Sequence, residues 1–94
     1  MSAPSRIVTT RAVARRIRGE LRRRWPGVRF RVRTGRAQWT HWVTVRWYDG
    51  PPTDAVREIT AQFQAMSHGR DRRGPVVWAV HGVLTTREVT ARGY

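Results

Sequence analysis

The chain has 94 residues, of which nineteen are arginine and none is lysine, against only six acidic residues, so its formal net charge is +13. The absence of cysteine excludes disulfides, thiolate catalysis and most structural zinc sites. Because the sequence has no apolar run of about 18 residues and no apolar signal segment near its start, we expect a cytoplasmic protein that does not span a membrane.

A periodic segment from Thr10 to about Arg24 predicts an amphipathic helix, preceded by a short polar lead-in at residues 1–9. Apolar residues recur every four positions from Val13 to Leu21, which predicts a buried stripe. We expect Thr10 to cap the start of this helix and the Trp-Pro-Gly sequence after Arg24 to end it. Four arginines form a ridge away from the stripe: Arg11, Arg15, Arg18 and Arg22.

Strict alternation of apolar and polar residues predicts two half-buried strands, at Val28–Arg33 and Trp42–Tyr48. The connection between them is short and polar, so the two strands are expected to pair as an antiparallel hairpin. The side chains predicted on the outer, solvent-facing side of this hairpin are Arg29, Arg31, Arg33, Arg46, Trp42 and Tyr48.

The second half of the chain predicts one further helix and one or two strands. Asp-Gly-Pro-Pro at residues 49–52 stops the hairpin, and Thr53 is expected to cap a helix that continues to about Met66. Residues 67–75 predict a charged loop, followed by strands at Val76–Val80 and Val83–Thr90. The predicted fold class is therefore α+β, with a small antiparallel sheet, two helices on one of its faces and the order α-β-β-α-β(-β), in a single domain over residues 10–90.

The arginine ridge predicts an external partner of opposite charge. Like charges at i and i+4 destabilise an isolated helix by a few tenths of a kcal/mol per pair, so a ridge of four implies a counter-charge elsewhere. The ridge is spaced to follow a phosphate backbone, and guanidinium groups make bidentate contacts with phosphate. A solvated face or an acidic protein partner is the alternative interpretation.

The outer face of the hairpin has the composition of a surface that binds single strands. Arginines hold phosphates while exposed rings stack on bases, and this face combines both types of residue. The alternative is that Trp42 and Tyr48 pack against the C-terminal segment. The basic loop offers Arg70, Arg72 and Arg73 either as a clamp on a nucleic-acid backbone or as a solvated turn.

No residues point to catalysis, to a metal or to a cofactor. His41, His68 and His81 lack metal-ligand spacing, and no serine lies in a nucleophile motif. The carboxylates are few and each has a structural explanation, so we expect a protein that is not an enzyme. The leading hypothesis is a small basic domain that binds DNA or RNA, single or double stranded, mostly through phosphate contacts. The alternative is a basic adaptor or inhibitor that docks on an acidic protein surface.

Two stretches resemble the twenty-ninth class of large polyvalent protein-associated domains. They are WPGVRFRVR at residues 25–33 and VTVRWYDGP at residues 43–51, preceded by the first helix and followed by a helix that ends at Phe63 and by LTTRE at residues 84–88. The resemblance extends from Thr10 to about Thr90, and departs at residues 66–71, where that family often carries Phe-Asp-Gly. The resemblance implies a context in phages and conjugative elements, which agrees with nucleic acid as the partner. It implies no site residues.

Overall fold

The computed structural model describes residues 5–89. Two short 3₁₀ turns, Ala37–Trp39 and Ala61–Phe63, connect its elements. In chain order the helices and strands are β1 (Arg6–Val8), α1 (Thr10–Arg24), β2 (Arg31–Thr34), β3 (Trp42–Tyr48), α2 (Thr53–Thr60), β4 (His68–Asp71), β5 (Gly74–Trp78) and β6 (Gly82–Glu88).

Helix α1 has the predicted bounds, and its apolar stripe is fully buried. Its cap is Thr9 and not Thr10, because Thr9 has an extended backbone and its hydroxyl accepts a hydrogen bond from the Ala12 N–H at 3.2 Å. Thr10 is instead buried, and its hydroxyl donates to the Ala79 carbonyl oxygen at 2.5 Å. Thr53 is also not a cap: it is the first helical residue of α2, and Pro52 occupies the N-cap position.

The strands form two three-stranded sheets, in the orders β2-β3-β6 and β1-β5-β4. The β2–β3 hairpin is antiparallel, as the alternation predicted, and so is the β4–β5 hairpin. The β1–β5 and β3–β6 pairs are parallel, so both sheets are mixed and not purely antiparallel. The α+β class is confirmed.

Both helices pack on the inner face of the β2-β3-β6 sheet, which leaves its other face uncovered by them. The inward side chains of β3 are Val43, Val45 and Trp47, and all three are buried. One continuous cluster of buried side chains includes residues from both helices and both sheets. Two surfaces beside this core carry the residues predicted for the site: the outer sheet face and the side of α1 next to β2.

The first predicted strand is shorter than expected, since β2 starts at Arg31 and not at Val28. Three further segments differ from the prediction because contacts distant in sequence determine them. Helix α2 ends at Thr60 and not near Met66, since Ala65 and Met66 adopt positive φ values and donate backbone hydrogen bonds to residues 80 and 81. The predicted loop at residues 67–75 forms most of the β4–β5 hairpin. The lead-in contains β1, while residues 1–4 and Thr90 lie outside the described residues.

Asp71 joins β1, α1 and the β4–β5 turn at one carboxylate. It forms ion pairs with Arg6 and with Arg16, the latter at 3.3 Å, and it accepts the Arg73 backbone N–H at 2.9 Å. The Arg6 guanidinium and these further contacts hold the pKa of this carboxyl below its ordinary value of 3.8. The ion pairs attach β1 and the hairpin to the helix.

The lowered pKa of Asp71 predicts a loss of stability in acid. The folded state binds the proton of the Asp71 carboxyl less tightly than the unfolded state does. The ionised carboxylate therefore contributes to stability above about pH 4, and this stability is lost as the pH falls through the folded pKa. We expect Asp71→Asn to lower the urea midpoint at pH 7 and to show a shallower decline than wild type between pH 5 and pH 2. Asp54→Asn, at an exposed carboxylate, is the control. A decline as steep in Asp71→Asn as in wild type would contradict this role.

Candidate functional site

Two adjoining depressions with arginines on both walls lie between α1 and residues 26–36. Together we call them the arginine groove. Residues 32–36 line one of them, residues 26–30 line the other, and Arg18 borders both. The arginines that line it are Arg11, Arg15, Arg18 and Arg22 from α1, and Arg29, Arg33 and Arg36 from the opposite wall.

The groove forms because a helix with a narrow apolar stripe packs beside an edge strand. Burial of the stripe places the predicted ridge at the border between α1 and β2. β2 pairs only with β3 among the described strands, so its other edge faces α1. The Arg18 guanidinium crosses this gap and donates from Nη2 to the Val32 carbonyl oxygen at 2.8 Å. This bond connects the helix to the strand and satisfies a backbone group that lacks a neighbouring strand.

The charge of the groove is not neutralised from within residues 5–89. None of its seven arginines forms an ion pair with a carboxylate there, and no carboxylate lines it. The ion pairs of the described residues lie elsewhere: Arg6 and Arg16 with Asp71, Arg23 with Glu20, Arg46 with Glu88, and Arg57 with Asp54. Uncompensated charge of one sign in a concave surface concentrates the field and attracts anions.

The outer face of the β2-β3-β6 sheet carries most of the residues predicted for it. Arg31 and Arg46 are partners across the β2–β3 ladder, and Arg33 lies two residues farther along β2 on the same face. The Arg46 Nε atom lies 3.2 Å from Glu88 Oε1, so this charge is partly balanced. Tyr48 is exposed as predicted. Leu84, which pairs with Thr44, adds an exposed apolar side chain that the sequence analysis did not single out.

Two of the predicted outer-face residues differ from the prediction, Arg29 in its position and Trp42 in its exposure. Arg29 precedes β2 and lines the arginine groove. Trp42 is half-buried, because its ring lies over Gly82 of the parallel strand β6, where a Cβ would overlap it. The alternative interpretation, packing against the C-terminal segment, therefore holds for Trp42. It does not hold for Tyr48, which is 53% exposed.

The structure reveals two further residues in the connection between β2 and β3. Arg36 lines the groove, and Trp39 is a half-exposed tryptophan whose ring centroid lies 5.7 Å from that of Trp42 in an edge-to-face arrangement. The sequence pattern does not indicate either residue, because residues 34–41 lack periodicity. The signal that could have indicated them is an arginine and a tryptophan within an otherwise polar hairpin connection.

The histidines and carboxylates do not assemble into a site of three or more potential metal ligands within residues 5–89. His41 and His81 come together from two distant segments, with ring centroids 5.5 Å apart. The His41 Nδ1 atom lies 3.2 Å from the Thr10 hydroxyl, and the His81 N–H donates to the His41 carbonyl oxygen. These contacts connect the start of α1 to the strands β3 and β6.

No helix in the described part of the chain is long and apolar enough to cross a bilayer.

Comparisons with known proteins place the chain in one family. No curated protein and no solved structure matches the chain. A family model matches residues 8–92, which is nearly the whole sequence and agrees with the resemblance of residues 25–33 and 43–51. The chain belongs to the family described as large polyvalent protein associated domain 29.

Proposed function

We propose that this domain binds nucleic acid, DNA or RNA, through contacts between the arginine groove and the phosphate backbone. The observation that carries the proposal is the gathering of unpaired arginines in one concave surface. Of the eighteen arginines in residues 5–89, five pair with carboxylates outside the groove and thirteen pair with none; seven of these thirteen line the groove. Such a distribution is the electrostatic footprint of a phosphate-binding surface.

The length of the groove suits several consecutive phosphates. From Arg11 to Arg22 the helix rises by about 17 Å at 1.5 Å per residue. Adjacent phosphates of one strand lie about 6–7 Å apart through space, although their rise along the axis of B-DNA is only about 3.4 Å, so this length corresponds to about three consecutive phosphates. Guanidinium groups on both walls would contact the phosphate oxygens, which position a nucleic acid without reading its sequence.

A docking site for an acidic protein is the alternative function. A regular line of like charges along α1 favours a polyanion whose charges repeat regularly. The exposed rings of Tyr48 on the adjoining sheet face and of Trp39 in the β2–β3 connection favour one that carries bases. The family of this domain is associated with mobile genetic elements, a context that agrees with a nucleic-acid partner.

Mapping of the arginine side chains by nuclear magnetic resonance tests the proposal. On titration with a short duplex of mixed sequence, we expect the Nε–Hε signals of Arg15, Arg22 and Arg36 to shift, while those of Arg23 and Arg57 stay in place. Evenly scattered shifts, or none, would contradict it. A domain that ignores nucleic acid yet retains an acidic protein from a nuclease-treated lysate would be an adaptor instead.

A further inference from the structure

We propose that the preferred ligand is a single strand, which crosses β2 from the arginine groove to the outer sheet face and stacks a base on Trp39. This inference rests on the proposed function, because the groove supplies the phosphate contacts. It adds the class of nucleic acid and a binding residue that the sequence analysis did not identify.

The groove and the outer sheet face meet at β2. Arg33 lines the groove and also lines a shallow depression on the outer face together with Arg31 and Leu84. A chain of phosphates can therefore pass from one surface to the other along continuous arginines. A single strand is flexible enough to follow this turn around an edge strand, whereas a duplex has a persistence length of about 150 base pairs.

Trp39 stands where such a strand would leave the groove. Gly35 and Arg36 line the end of the groove, and a Cβ on Gly35 would overlap the Trp39 carbonyl oxygen, so the backbone of Trp39 lies directly against this end. Arg36 and Trp39 are thus three residues apart on the same short connection between β2 and β3. Arginine beside an accessible indole is the combination that holds a phosphate and stacks the adjacent base.

The orientation of Trp39 is set before any ligand binds. Trp42 is fixed over Gly82, and Trp39 packs edge-to-face on Trp42, yet 52% of Trp39 remains exposed. A ring held by a neighbour loses little rotamer freedom on binding, so more of the stacking energy contributes to affinity. A buried role would instead have covered the ring, as the core covers Trp47 and Trp78.

The test compares three ligands of about ten nucleotides at one salt concentration: a single strand of mixed sequence, the same strand made abasic, and the corresponding duplex. We expect wild type to bind the strand roughly 5- to 150-fold more tightly than its abasic form, the range for one stacked base. In Trp39→Ala we expect the preference for the strand with bases over its abasic form to disappear, while the affinities for the abasic strand and for the duplex change less than about twofold.

Three variants separate stacking from structure. Trp39→Phe should keep most of this preference, whereas Trp39→Leu, which still covers Trp42 but has no π-face, should lose it. Ile7→Ala, at an exposed apolar residue of the other sheet, should behave as wild type. An equal loss for all three ligands in Trp39→Ala, or a wild type that prefers the duplex, would overturn the inference and leave the proposed function intact. Failure to bind any of the three would refute both.

Discussion

Replacement of Arg15 and Arg22 by alanine is expected to weaken binding to every nucleic acid by about thirtyfold at 0.15 M salt. Both side chains line the arginine groove and neither forms an ion pair with a described carboxylate. Each lost phosphate contact removes the release of about one counterion, which corresponds to about fivefold in affinity at this salt concentration. Fluorescence anisotropy with a labelled duplex and a labelled single strand measures the change.

The matched control is the double variant Arg23→Ala with Arg57→Ala. It removes the same net charge from α1 and α2 at two exposed arginines that pair with Glu20 and Asp54 outside the groove. Because neither side chain lines the groove and each already pairs with a carboxylate, neither is expected to contact a phosphate there, and the affinity should fall by about threefold or less. Equal losses in the two double variants would mean that net charge alone binds the ligand, without a groove.

Trp47→Ala is expected to lower the free energy of unfolding by about 3–5 kcal/mol, the typical cost of a large aromatic deletion in a core. Trp47 is fully buried and packs against Phe30, with ring centroids 5.6 Å apart. Its indole N–H donates to the Pro51 carbonyl oxygen at 2.9 Å, so the deletion leaves both a cavity and a carbonyl without its partner. Urea denaturation followed by circular dichroism measures the loss.

A loss of this size approaches the total stability of a small domain, so the alanine variant could be unfolded outright. Trp47→Phe keeps a ring in the core and removes the hydrogen bond and part of the volume, and it should cost less than the alanine variant. Tyr48→Ala, at the exposed neighbour, should change stability by about 0.5 kcal/mol or less. A Trp47→Ala protein as stable as wild type would contradict the position of this residue at the centre of the core.

Local patterns predicted the elements whose residues are near one another in sequence. The bounds of α1 and the pairing of β2 with β3 follow from a stripe of period four and from strict alternation, both of which reflect one buried face. The prediction of two helices on one face of a sheet is confirmed for the same reason.

The missed elements depend on partners far along the chain. β1 has three residues, and the parallel pairing of Ile7 with Val77 defines it across seventy positions. β4 is charged and contains Gly69, its pairing with β5 defines it, and Gly69 leaves room for the Trp78 indole. No periodicity within either segment carries this information.

The candidate site was predicted as two separate surfaces and is continuous in the structure. The arginines of α1 and of the β2 strand were identified individually from their faces. Their meeting in one groove depends on the packing of α1 against an edge strand and on the bond from Arg18 to Val32, which no sequence period encodes. For the same reason the half-burial of Trp42 and the exposure of Trp39 emerge only from the fold.

The salt dependence of binding tests the central claim most directly. If the arginine groove and the arginines of the adjoining sheet face together contact four to six phosphates, the logarithm of affinity should fall with the logarithm of salt concentration with a slope of about −3 to −5 in the wild-type protein. The slope should be shallower by nearly two in the Arg15→Ala/Arg22→Ala protein and unchanged in the Arg23→Ala/Arg57→Ala control. A slope near zero in wild type, or one that the groove substitutions leave unchanged, would contradict a phosphate-binding groove.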